Sequence, residues 1–204
     1  MKLSVLVFDL GKVLVDFDYS IAAGQIAPLC TSPADPVKFF SQHAALLTSY
    51  ELGLLTSQEF YDKIKSVSGF SGTQAEFSAF FADIFTPIQP MIDMLAELKK
   101  TRLPTYLFSN TNDLAIDHIR RRFPFFCDFD GYVLSYEHRA MKPSAKLYEI
   151  VERASGRRGG EILYIDDRPE NVEAGVARGW QGILHETPSG TREALQKLGL
   201  LSQS

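Results

Sequence analysis

Apolar residues along this chain come in two rhythms. Short unbroken runs recur at Ser4–Phe8, Thr105–Phe108, Gly131–Leu134, Ile162–Ile165 and Gly182–Leu184. A run apolar at every position, rather than at alternate ones, marks a strand buried on both faces, as in a parallel sheet. From residue 90 onward, helical patterns separate these runs, over Met91–Lys100, Asp113–Arg122, Ser144–Ala154 and Pro169–Arg178. Pro169 suits the first turn of a helix and Gly179 stands where one ends. Strands and helices in alternation predict an α/β fold built on a doubly wound parallel sheet.

The exception is the stretch from Phe17 to Ile88, far too long for a strand-to-helix connection and helical in period. Phe39, Phe40, Leu46, Leu47 and Tyr50 mark one segment; Phe60, Tyr61, Ile64 and Val67 a second; Phe77, Phe80, Phe81 and Ile84 a third. Nine of the fifteen phenylalanines fall here, which predicts a small helical bundle filling its own core. The division expected is a core of residues 1–16 and 89–204 and an inserted helical cap of residues 17–88. Hinges are expected near Asp16–Phe17 and Thr86–Pro90.

Composition narrows the function without naming it. A net charge of −4 over 204 residues favours neither nucleic acid nor an anionic membrane. The run Arg120-Arg121-Arg122 falls late in an expected helix, where cations suit the helix dipole. No apolar stretch approaches the ~18 residues that span a bilayer. Cys30 and Cys127 form no C-x-x-C pair, and His43, His118, His138 and His185 show no metal-ligand spacing. Free thiols in a reducing cytoplasm are the expectation.

The chemistry gathers at strand ends. The first strand ends at Asp9, the second at Ser109-Asn110 and the fourth at Asp166-Asp167, while Lys142-Pro143 follows the third. In open α/β sheets ligands bind beyond the carboxyl ends of the strands, so these groups should meet in one crevice. Carboxylates, a lysine, a hydroxyl and an amide suit an oxygen-liganded Mg²⁺ beside a phosphate, and an aspartate there can act as nucleophile.

Four motifs carry a family resemblance: Phe8-Asp9-Leu10-Gly11-Lys12-Val13-Leu14, Leu107-Phe108-Ser109-Asn110, Met141-Lys142-Pro143-Ser144 with Tyr148, and Tyr164-Ile165-Asp166-Asp167-Arg168-Pro169-Glu170-Asn171. In this order they resemble the haloacid dehalogenase superfamily over nearly the whole chain, with a flavour similar to bacterial sugar phosphatases acting on glucose 1-phosphate. The resemblance implies a Rossmann-like core with a helical cap. It also implies a Mg²⁺-dependent phosphatase, monomeric or homodimeric, that hydrolyses a small phosphorylated metabolite through an aspartyl-phosphate. It further implies roles. Asp9 is nucleophile and metal ligand, and the Gly11 backbone carbonyl and Asp167 are further ligands. Ser109 and the Asn110 backbone bind the phosphoryl group, and Lys142 offsets its charge. Asp166 and Asn171 support from behind.

Gly11 is the departure. Most phosphatases of the superfamily carry there an aspartate that protonates the leaving group, and general acid–base catalysis contributes ~10²–10⁴-fold. Three readings stay open. The leaving group tolerates the loss, as an anomeric oxygen would. Or another group substitutes, such as a metal-bound water, Asp16 or Asp18. Or the site is kept for binding or regulation only. A 2-haloacid dehalogenase also lacks the second aspartate, but carries an aromatic residue there and needs no metal. Gly156-Arg157-Arg158-Gly159-Gly160 lies between helix and strand and reads as a turn. In the cap, Thr56 and Glu59 have the spacing of a capping box. Glu51 just before them is read chiefly as a solvated loop residue, with a hydrogen bond to a sugar hydroxyl as the alternative.

Overall fold

The computed structural model describes residues 2–31 and 40–202; Phe39 of the first aromatic segment lies outside them. Five strands, β1 (Val5–Phe8), β4 (Thr105–Ser109), β5 (Gly131–Leu134), β6 (Ile162–Asp166) and β7 (Gln181–Leu184), form one sheet in the order β5-β4-β1-β6-β7. Every neighbouring pair in it is parallel. Both faces are covered, which is why the strands read as continuous apolar runs. Leu6 and Phe8 point into a cluster with Met94, Leu98, Ile116 and Ile119, whereas Val5 and Val7 pack with Leu147, Tyr148, Val151 and Trp180.

The helices that cover it are α5 (Gln89–Lys99), α6 (Asp113–Arg122), the short α7 (Ser135–His138), α8 (Ala145–Ser155), α9 (Pro169–Ala177) and α10 (Pro188–Lys197). The last was not legible in the apolar pattern; Thr187 caps it by accepting the Gly190 amide. Glu152 on α8 takes both arms of Arg178 and the Trp180 indole N–H, locking α8 to the turn after α9. Arg120, Arg121 and Arg122 sit exposed in the last turn of α6. Both cysteines are free. Among the described residues no helix is long and apolar enough to cross a membrane.

Between β1 and α5 the chain makes α1 (Tyr19–Ile26), α2 (Ala44–Glu51), α3 (Ser57–Ser68) and α4 (Gln74–Ala82). Their apolar faces form a cluster of their own around Tyr50, Phe60, Ile64, Phe70, Phe77 and Phe81. The rings of Tyr50 and Phe60 stack at 4.4 Å. The expected capping box at Thr56 and Glu59 is present, and Thr73 with Glu76 repeats it at α4.

The two segments expected as hinges are not independent. They pair as an antiparallel ribbon, β2 (Val15–Phe17) with β3 (Phe85–Pro87), in the register Asp16↔Thr86 and Phe17↔Phe85. Farther along, the insertion rests directly on the sheet domain. The Tyr50 and Ser57 hydroxyls both donate to the Asp113 carboxylate. The Ser135 hydroxyl donates to the Glu51 carbonyl at 2.6 Å and accepts the Thr111 amide at 2.9 Å. Gly53 turns the chain there with φ +64°, and a Cβ on it would lie 2.0 Å from the Tyr136 carbonyl oxygen. Only glycine fits both the left-handed backbone and that approach.

Candidate active site

The chain leaves the sheet at Asp9, the residue after β1, and turns sharply: the Leu14 and Val15 amides return to the Leu10 carbonyl and the Lys12 amide donates to the Val15 carbonyl. These bonds leave the Gly11 carbonyl outside them. β4 and β6 each run one residue beyond their apolar runs, so Ser109 and Asp166 are the last strand residues and Asp167 is the next.

Lys142 draws the ends together. Its ammonium, almost wholly buried, lies 2.9 Å from Asp9 Oδ1, 2.6 Å from Asp166 Oδ2 and 2.9 Å from the Phe108 carbonyl oxygen. All three hydrogens therefore have acceptors. The loop carrying it is fixed by Asn110, whose side chain accepts the Lys142 amide at 2.7 Å and donates to the Lys142 carbonyl at 3.1 Å. Burial works against the charge, but the two carboxylates prevail and hold the lysine above its ordinary range.

The two adjacent aspartates have different surroundings. Asp166 has no exposure. Besides Lys142 it accepts the Tyr164 hydroxyl, the Arg168 amide at 2.8 Å and the Asn171 amide group at 3.0 Å. Despite burial, these donors, Lys142 foremost, hold it below the usual carboxylate range. Tyr164 opens the fourth motif but carries no role in the sequence reading, although a residue two before Asp166 in a strand must share its face. Tyr148 of the third motif closes this layer by donating to the Asn171 carbonyl at 2.7 Å. Asp167 is half-buried and faces the crevice; burial, then the nearby Asp166 charge, pushes its carboxyl up. Asp9 is likewise pushed up by burial, against the pull of Lys142.

Carboxylate oxygens of Asp9, Asp166 and Asp167 lie within 4.8 Å of one another. Asp166 has both its oxygens engaged by protein donors. Among the described residues Asp9 spends only Oδ1, on the Leu10 amide at 2.7 Å and on Lys142. The Asp9 and Asp167 carboxylates and the Gly11 carbonyl thus offer an all-oxygen donor set, the chemistry that a small hard cation such as Mg²⁺ requires.

These groups floor a cavity of about 200 Å³, with Ser109, Asn110 and Asn171 on the core side and Phe17, Tyr19, Leu47 and Glu51 on the insertion side. A recess of about 60 Å³ continues it between Gly11, Phe17, Tyr19, Glu51 and Phe85. The room that a second aspartate would need is occupied. A Cβ on Gly11 would lie 2.9 Å from Phe17 Cε1, and that ring is held edge-on by Tyr19 and Phe85 with the Lys12 ammonium 4.7 Å above it. Gly11→Asp should therefore cost about 1–3 kcal/mol through overpacking. Chemical denaturation of Gly11→Asp, Phe17→Leu and the double variant checks this: the double should lose less than the sum of the singles.

Asp16 and Asp18, the two side chains among the sequence alternatives for a substitute acid, do not line this cavity. Asp16 is exposed and paired with Lys12, and Asp18 caps α1 by accepting the Ser20 amide at 2.8 Å. Glu51 corrects the sequence expectation of a solvated loop residue. It ends α2, lines both the cavity and the recess, and is pushed up by burial to about 7. Among the described residues no donor pairs with its carboxylate.

A family model described as haloacid dehalogenase-like hydrolase matches residues 3–179. The chain belongs to that family. It is similar to a D-ribitol-5-phosphate phosphatase of Bacteroides thetaiotaomicron, 24% identical over 197 residues that cover 93% of this chain and 95% of the relative. A sesquiterpene phosphatase of Aspergillus oryzae is 29% identical over 143 residues, 69% of this chain and 71% of its own. A crystal structure of a family enzyme from Bacteroides thetaiotaomicron, in complex with magnesium and inorganic phosphate, superposes with a TM-score of 0.78 at 22% identity, covering 90% of this chain and 94% of that one.

Proposed function

We propose that this hydrolase is a Mg²⁺-dependent phosphatase of a small phosphorylated metabolite, with sugar and sugar-alcohol phosphates as the class to test first. The observation that carries the proposal is the division of labour at Asp9. Oδ1 is pinned by Lys142 and the Leu10 amide, Oδ2 has no donor among the described residues, and Asp9 lines a cavity together with Ser109 and Asp167. A carboxylate so fixed is oriented for attack on phosphorus, which is most of what phosphoryl transfer asks of a protein. Named phosphatases among the relatives support the reading.

In this reading Asp9 Oδ2 attacks phosphorus, the ester oxygen departs, and water then cleaves the aspartyl-phosphate. Ser109 and the Asn110 amide receive the phosphoryl oxygens, and Lys142 holds the nucleophile while offsetting charge. Asp166, Tyr164 and Asn171 keep Lys142 in place. Asp9, Asp167 and the Gly11 carbonyl would hold Mg²⁺, whose charge would keep both carboxylates ionised and offset that of the phosphate. Residues 1–16 and 89–204 serve as the catalytic core. Residues 17–88 serve as a cap on the β2–β3 ribbon, excluding bulk water and contacting the part of the substrate beyond the phosphate.

The test is phosphate release from a panel of esters with Mg²⁺ and with EDTA. Turnover that EDTA abolishes and added Mg²⁺ restores is the expected result. Saturable binding of phosphate esters without turnover would replace this reading with a binding protein. EDTA-insensitive halide release from a 2-haloacid would replace it with a dehalogenase.

A further inference from the structure

We propose that Glu51 is the acid and base of this reaction, supplying from the inserted segment the proton that position 11 cannot. The assignment rests on the phosphatase reading. Displacement at phosphorus runs in line, so the departing oxygen lies on the side opposite Asp9. Asp9 lines the cavity from the core, and Phe17, Tyr19, Leu47 and Glu51 form its insertion-side wall. Of these only glutamate carries a carboxyl group.

Three further observations converge on it. Its place is fixed although it lies in the insertion, because the Ser135 hydroxyl holds its carbonyl to the core at 2.6 Å. Its carboxylate has no donor among the described residues and stays open to the cavity, so a substrate oxygen or a water can meet it there. Burial beside Phe17, Tyr19 and Phe85 lets it keep its proton to near neutrality, pushed up to about 7. The other groups that line this wall or flank it are spoken for. Tyr19 is raised by burial and holds its proton far above neutrality. Asp16 pairs with Lys12 and Asp18 caps a helix.

The step balances. As the bond from Asp9 to phosphorus forms and the ester P–O bond breaks, the Glu51 carboxyl proton passes to the departing oxygen, which leaves as an alcohol. The Glu51 carboxylate then takes a proton from water as that water attacks phosphorus. The Asp9 carboxylate and inorganic phosphate are released, and Glu51 is protonated again.

Leaving-group dependence tests the assignment. Wild type, Glu51→Gln and Glu51→Asp are assayed with Mg²⁺ on 4-nitrophenyl phosphate, whose leaving group needs no proton, and on 2-glycerophosphate, whose alkoxide does. With Glu51→Gln the kcat on 2-glycerophosphate should fall ~10²–10⁴-fold. On 4-nitrophenyl phosphate the same variant should release a rapid burst of about one nitrophenol per enzyme and then turn over slowly, because the water step has lost its base. Glu51→Asp should recover part of the kcat. A kcat for Glu51→Gln within threefold of wild type on both esters, or a change confined to KM, overturns the assignment and leaves the phosphatase reading intact. A wild type inert towards every ester overturns both.

Discussion

Asp9→Asn is expected to lower Mg²⁺-dependent phosphate release by roughly 10⁴-fold or more, equivalent to about 5 kcal/mol of barrier. The amide keeps the volume and can still accept the Leu10 amide, so the loop stays folded; what it loses is a nucleophilic oxygen. The size of the expected loss follows from the absence of another carboxylate in the same position. Asp166 is sealed by Lys142, Tyr164, Arg168 and Asn171, and Asp167 stands among the proposed metal donors. Lys142 keeps Asp166 as a partner in the variant, so the melting temperature should move by only a few degrees. Steady-state release of phosphate on the best ester of the panel, together with a thermal melt, checks both halves. Retention of a tenth of the wild-type rate would remove Asp9 as nucleophile.

Lys142→Met should be costly to the fold as well as to activity. One ammonium offsets two buried carboxylates, at 2.9 Å and 2.6 Å, and removing it leaves Asp9 and Asp166 facing each other in a site almost closed to water. Breaking a buried ion pair from one side costs about 3–5 kcal/mol, which lowers the melting temperature of a domain of this size by roughly 10 °C. Adding Asp166→Asn to Lys142→Met removes one of the stranded charges. It should restore part of the stability while leaving activity lost, because Asp9 is still unheld. Thermal melts of the two single variants and the double separate these terms. A Lys142→Met melt within 2 °C of wild type would mean that the ammonium is not what balances this pair.

The sheet strands were readable because each is short, apolar throughout and bounded by turn residues, so local pattern was enough. The residues at or just beyond the ends of β1, β4 and β6 then carried the candidate site, since a parallel sheet brings the carboxyl ends of neighbouring strands together whatever their distance in the chain. Strand β2 and its partner β3 were not readable. Three residues each, one of them containing a proline, they have no periodicity to detect, and they form because the ends of the insertion must meet. Helix α10 escaped for another reason: apolar positions are sparse along it, and its place is set by packing at the edge of the sheet.

The linear order of residues was sufficient for the α/β alternation, the helical insertion, the ordered set Asp9, Ser109, Lys142 and Asp167, and the gap at Gly11, because each depends on neighbours within a few positions. The meaning of that gap depends on distance instead. A ring from Phe17 folds back over Gly11 and fills the missing side chain's room, and a glutamate from the end of α2, forty residues along the chain from Gly11, comes to line the same cavity. In the sequence Glu51 stands in Tyr50-Glu51-Leu52-Gly53, just before a capping box, and reads as a loop residue wetted by solvent. Burial against the core, which no local pattern records, brings it to the wall of the cavity that Asp9 also lines, with no donor to its carboxyl among the described residues.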